Sequence, residues 1–153
     1  MAKKKQVYYR LIEIKELSSF MHSLQELGID DYKLSKVKYQ RDLTFDFNEK
    51  EGEIDIIVDI KFFYNVDSKN TVDLFGIRTL TKFGLKDYKD SIKWVEKNLL
   101  DIPDNLMYTF FSVAYSSSRG ILVCLTSKTD YDNFYLPLIE LKEIKEQFLA
   151  KKK

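Results

Sequence analysis

The chain has 153 residues, 44% of them hydrophobic, with only 5 glycines and 2 prolines; this is enough apolar material for a single globular domain (1–153) with a real core, and too much for disorder away from the ends. Its 25 basic and 24 acidic residues leave a net charge of +1, which supplies no overall field for nucleic acid or an anionic membrane, and neither partner is expected. One cysteine, Cys124, excludes an internal disulfide, and one histidine, His22, removes the usual cluster of zinc ligands, so neither a metal nor another cofactor is expected.

No apolar run approaches the roughly 20 residues of a membrane span, and Ala2 to Lys5 lead into alternating polar and apolar residues without a signal-peptide core. A soluble protein of the reducing cytoplasm is the expectation. The aromatic content is 14%, with 11 Phe and 10 Tyr against a single Trp. A domain of this size has limited interior, so part of that aromatic surface is expected to serve other chains.

Val7 to Phe20 is divided between two patterns. Tyr8, Arg10, Ile12 and Ile14 alternate as in a strand, whereas Leu11, Ile14, Ser18 and Met21 fit one face of a helix. From Val37 onward, Tyr39, Leu43, Phe45 and Phe47 alternate with polar neighbours as in a half-buried strand. Asn48 to Gly52 form a polar turn, and Ile54, Ile56, Val58, Ile60, Phe62 and Tyr64 resume the two-residue period, which predicts a hairpin. After a second turn at Asp67 to Asn70, Val72 to Leu85 carries apolar residues on both faces: Leu74 and Leu80 on one, Phe75, Ile77 and Phe83 on the other. Such a strand is expected to be covered on both sides, by helices of its own chain on one and by a second subunit or a bound chain on the other.

Asp90 to Leu99 reads as a short helix capped by Asp90 or Ser91, with Ile92, Val95 and Leu99 inward and Trp94 anchored nearby. A longer helix starts at Pro103, whose missing N–H is no loss in a first turn, and carries Leu106, Phe110, Val113, Ala114 and Ser117 at helical spacing. It is expected to stop at Arg119-Gly120, with Gly120 at a positive φ that a β-branched residue would not tolerate and Arg119 on the last carbonyls. An apolar connection from Ile121, containing Pro137, leads to an amphipathic helix over Leu141 to Leu149, with Leu141, Ile144 and Phe148 inward and a solvated Lys151 to Lys153 end.

The residues that catalysis recruits are thin on the ground. His22 stands apart from any recognisable carboxylate or thiol motif, Cys124 sits in an apolar run that predicts burial, and Asp55 and Asp59 are read as solubilising charges. Ser116 to Gly120 has hydroxyls and a guanidinium, but it lies at the negative end of its predicted helix and lacks Walker spacing, so a structural role is expected there. No enzymatic activity is expected.

Four strand-like segments, a long helix with Ser118-Arg119-Gly120, an apolar crossover holding Pro137 and a final helix resemble, in that order, the SecB family of export chaperones over nearly the whole chain. The resemblance implies an α+β fold, a four-stranded antiparallel sheet followed by a long helix, a crossover and a C-terminal helix, and it makes Val7 to Phe20 the first strand. It further implies a dimer or tetramer that holds unfolded polypeptide in apolar grooves without ATP. On that analogy Phe75, Ile77, Phe83, Leu122, Leu125, Phe134, Tyr135 and Leu136 lie near the groove, with core or subunit interface as the competing place for each.

Two departures limit what carries over. Export chaperones of the family dock on the translocase motor SecA through an acidic tail and a patch that includes a glutamate in the strand matching Leu74 to Leu80. Here that position falls on Gly76 or Ile77 and the tail is rich in lysine, which argues against docking on the motor. The family's Asn-Phe after the crossover proline is replaced by Ile139 and Glu140. The role implied is a holdase outside standard export, dedicated to one client such as a toxin-antitoxin partner. A non-chaperone assembly subunit of a phage or mobile element is the competing reading.

Overall fold

The computed structural model describes residues 6–97, 99–140, 142–144 and 146. Strands β1 (Tyr8–Met21), β2 (Val37–Asn48), β3 (Glu53–Asn65) and β4 (Thr71–Lys86) form one antiparallel sheet in the order β1-β4-β3-β2. Strands β5 (Lys93–Glu96) and β6 (Leu99–Asp101) pair separately, and helix α1 (Asp104–Thr126) lies across β3 and β4. The expected α+β architecture is present. Residues 142–144 and 146 are helical, and Ile144 is buried as predicted; Leu141, Phe148 and Lys151 to Lys153 lie outside the described residues.

The first segment is a strand along its whole length, paired with β4 from Tyr8 opposite Lys86 to Met21 opposite Phe75. Its helix-like spacing has a local cause. Irregularities between Leu11 and Glu13 and between Glu16 and Ser18 break the alternation, so Leu11 opposite Phe83 and Ile14 opposite Thr81 fall on one face although three residues apart.

The core sits between α1 and one face of the sheet. On β3, Ile54, Ile56, Val58, Ile60, Phe62 and Tyr64 are each no more than 4% exposed, and Phe83, Thr81, Thr79, Ile77 and Phe75 face them on β4. Helix α1 buries Leu106, Phe110, Ala114, Ser118, Leu122 and Thr126 against this surface. The opposite face of the sheet is largely ionic: Lys82 pairs with Glu53 and Asp55, Arg78 with Asp59, and Lys61 with Asp73, all across neighbouring strands. Asp55 and Asp59 are therefore cross-strand partners rather than free solubilising charges. Ile57 and Phe63 stand half-buried within this lattice. On β4 the face under α1 buries Phe75, Ile77 and Phe83 together with Thr79 and Thr81, while Leu80, opposite Ile57 on the other face, and Leu74 are buried too, as the two-sided apolar pattern predicts.

Four expectations are corrected. The segment Asp90 to Leu99 is not a helix; it is the start of the β5–β6 hairpin, with Trp94 half-buried and Val95 56% exposed. Ten residues make a marginal helix in water, whereas the hairpin lets Trp94 stack on Phe45 and donate from its indole N–H to the Phe47 carbonyl at 3.2 Å. Trp94 is thus anchored as expected, but from a strand.

Helix α1 does not stop at Arg119-Gly120. It continues to Thr126 and ends where Lys128 takes a φ of 63°. Gly120 is an exposed helical residue outside the positive-φ set, and it costs the helix only about 0.5–1 kcal/mol. The apolar face continues through Leu122, and packing outweighs that cost. Residues Ile121 to Leu125 accordingly belong to the helix, and the crossover begins at Ser127. Cys124 is on the outer side of α1 and exposed, not buried.

Candidate functional site

The crossover runs from Ser127 to Glu140, turning through 127–133 and continuing without regular structure over 134–140. It crosses an aromatic trough on the sheet. Phe62 of β3 and Phe75 of β4 are opposite one another and stack at 4.5 Å with 13° between ring planes. Tyr131 lies 4.6 Å from the Phe75 ring, and Phe134 sits 5.6 Å from Phe62 and 5.7 Å from Phe75. Tyr32, from the β1–β2 connection, stacks on Tyr64 and meets Phe134 edge-on.

Polar contacts fix this connection to the crossover. The Tyr131 hydroxyl donates to the His22 carbonyl, and the Leu24 N–H donates to Asp130 Oδ2 at 3.3 Å. Burial pushes the Tyr131 phenol up to about 12, helped by Asp130 and Glu26; burial does the same for Tyr32, helped by Tyr131 and Tyr64. The Tyr32 hydroxyl is buried and makes no hydrogen bond among the described residues.

Beyond Phe134 the strap is held through its backbone. Arg119 donates from Nε to the Leu136 carbonyl at 3.1 Å, and the Tyr115 hydroxyl donates to the Pro137 carbonyl at 3.0 Å. Both donors are on α1, one helical turn apart, so they project on the same side. Arg41 of β2 donates to the Tyr115 hydroxyl at 3.3 Å and forms an ion pair with Glu143 at 2.8 Å. Burial works against the Arg41 charge, but the bond to Tyr115 and the carboxylate of Glu143 outweigh it, and its pKa is raised. The Glu143 carboxyl is lowered, first by the backbone N–H of Glu140 and then by Arg41.

The eight residues placed near a groove separate in the structure. Phe75 of the sheet and Phe134 of the strap come together, and Ile77, Leu122 and Leu136 share the same core; all five are buried. Phe83 is eight residues along β4 from Phe75, about 26 Å away at strand spacing, where it packs on Phe110 at 4.5 Å. Six of the eight are therefore closed core side chains in this conformation. Leu125 is half-buried, and Tyr135 is 69% exposed.

The open apolar surface lies elsewhere. Leu138 on the strap is 73% exposed. Along β1, eight large apolar side chains between Tyr8 and Met21 are 37–54% exposed, on an edge strand paired only with β4 among the described residues. A fourteen-residue edge strand with eight exposed apolar side chains is a template for further strand pairing. Sequence reasoning missed the trough partners Tyr32 and Tyr131 and the ties from Arg41 and Tyr115. Tyr32, Arg41 and Tyr131 lie in polar stretches and Tyr115 sits on the long helix, and only the tertiary fold brings the four to the strap.

The residues weighed for chemistry have structural partners or none. The described residues contain no group of three or more metal-ligating side chains. His22 is exposed beside Phe20. Within Ser116 to Gly120, Ser117 bonds the Val113 carbonyl, Ser118 bonds the Ala114 carbonyl and Thr79, and Arg119 holds the strap. Arg119 is thus structural, though on the crossover and not on the helix's own carbonyls. No helix among the described residues is long and apolar enough to cross a membrane.

A four-stranded sheet in this order, a long helix over one face and a strap returning beneath it to a short C-terminal helical turn define a SecB-like fold. The SecB-like chaperone Rv1957 of Mycobacterium tuberculosis, solved in complex with a ChAD peptide from the HigA1 antitoxin, matches with a TM-score of 0.51. The match covers 86% of this chain and 90% of that one at 11% identity. No protein-family description matches the sequence, and no curated protein matches it.

Proposed function

We propose that this protein is an ATP-independent SecB-like holdase that binds unfolded or partly folded polypeptide in apolar aromatic grooves, with one dedicated client as its main partner in the cell. The observation that carries the reading is the aromatic trough under a strap held largely by its backbone carbonyls, in a fold whose solved neighbour binds an antitoxin peptide. Extended clients present apolar side chains at irregular spacing, and a broad surface of aromatics accepts them with little directional demand. The neighbour's antitoxin ligand favours a dedicated client of the toxin-antitoxin kind. An assembly subunit with one fixed partner is the alternative.

The exposed β1 edge supports a homo-oligomer in which two β1 strands pair and the sheets join. Docking on SecA is not part of this proposal: Gly76 lies under the Phe20 ring, and the nearby acids Asp55, Asp59 and Asp73 are already in ion pairs. No catalytic step, cofactor, nucleic acid or membrane enters the reading, and we place the protein in the cytoplasm.

The test is light scattering of several unrelated denatured proteins diluted into buffer with this protein. Suppression of aggregation at near-stoichiometric ratios is expected. Suppression for none of them, with one native partner still bound, would assign the assembly role instead.

A further inference from the structure

We propose that residues 134–140 are an exchangeable strap: a client segment displaces them from the sheet, seats an aromatic side chain where Phe134 lies, and offers its own backbone carbonyls to Arg119 and Tyr115. This rests on the holdase reading and names what the client must present.

Three observations carry it. First, the strap lies on the trough as an extended chain would: Phe134 and Leu136 are buried, while Tyr135, Pro137 and Leu138 are exposed. Second, among the described residues no backbone hydrogen bond joins 134–140 to the sheet. The two ties from α1 address the carbonyls of Leu136 and Pro137, groups that every polypeptide carries, so nothing in them selects this segment over another. Third, the Tyr32 ring that meets Phe134 edge-on carries a buried hydroxyl with no hydrogen bond among the described residues. An exchanged segment with a carbonyl there would satisfy it.

The chemistry of the occupant follows. It is an extended segment with an aromatic residue and, two positions later, an aliphatic one, like Phe134-Tyr135-Leu136 itself. Strand alternation puts both on the trough and leaves the residue between them facing water.

The probe is a synthetic peptide with the sequence of residues 131–139, added to the intact protein and followed by fluorescence anisotropy and by hydrogen exchange. Saturable binding is expected, weakened at least tenfold when the peptide's one Phe, the counterpart of Phe134, is replaced by Ser. In the complex, exchange over 128–140 should accelerate, including the Phe134 amide as it loses its 3.1 Å bond to the Tyr131 carbonyl, while the centres of β3 and β4 stay unchanged. Absence of saturable binding, or binding with the strap still protected, overturns the proposal. Strap protection that rises with protein concentration also overturns it, in favour of a second copy's strap as the occupant. A denatured protein tested in parallel separates the two readings: capture without acceleration over 128–140 sinks the exchange alone, whereas peptide exchange without any capture sinks the holdase reading alone.

Discussion

The hydroxyls of Thr79 on β4 and Ser118 on α1 lie 2.6 Å apart with both residues wholly buried. Ser118 has one proton and donates it to the Ala114 carbonyl at 2.8 Å, so Thr79 donates to Ser118. The relationship is asymmetric. Ser118→Ala strands the Thr79 hydroxyl in the core and is expected to cost about 1–3 kcal/mol. Thr79→Val leaves Ser118 bonded to its own helix and should cost less. Chemical denaturation of the two single variants and the double variant checks this; a double variant as unstable as the sum would contradict the coupling.

Gly52 and Gly120 should respond in opposite directions. Gly52 holds a φ of +67° in the β2–β3 turn, and a side chain there would strike the Tyr88 ring. Gly120 is helical, with nothing within 4 Å of an added Cβ. Gly52→Ala should lower the melting temperature markedly, whereas Gly120→Ala should raise stability by about 0.5–1 kcal/mol. Thermal unfolding of both variants decides the matter.

Tyr32 and Tyr131 have phenols pushed up to about 12 by burial. In the unfolded chain they ionise near the ordinary value of about 10. A folded pKa above the unfolded one means that their contribution is complete below the unfolded value and is lost as pH rises through the folded value. Stability should therefore fall between about pH 10 and pH 12, and Tyr131→Phe should flatten part of that decline. Denaturation midpoints measured across this range give the comparison; identical slopes for the variant and the parent would show that Tyr131 does not carry the effect.

The exposed edge of β1 makes assembly testable. Leu11 and Ile14 share the face toward α1 and are 47% and 40% exposed. Leu11→Lys with Ile14→Lys should shift a dimer or tetramer to monomer in analytical ultracentrifugation, with little loss of monomer stability because neither position is in the core. A parent protein that is already monomeric at micromolar concentration would remove the case for pairing through β1.

Much of the architecture was legible in the residues because short-range periodicity imposes it. Strict alternation from Ile54 to Tyr64 determines β3 and the face it buries, and Asn48 to Gly52 determines the turn before it. The start of α1 at Pro103 and Asp104 was equally local. What sequence could not decide was anything settled by partners far along the chain. The hairpin at Trp94 depends on Phe45 and Phe47, almost fifty residues earlier. Whether α1 ended at Gly120 depended on packing that Leu122 and Thr126 find on the sheet, which outweighs one glycine's cost. The same holds for the candidate site. An apolar residue reads alike whether it lines a groove or fills a core, so Phe75 and Phe134 became neighbours, and Phe83 was set apart, only when the strands and strap were laid in place. Arg119 shows the limit most directly: the chain places it on the helix, but only the fold brings Leu136 to within 3.1 Å of its Nε.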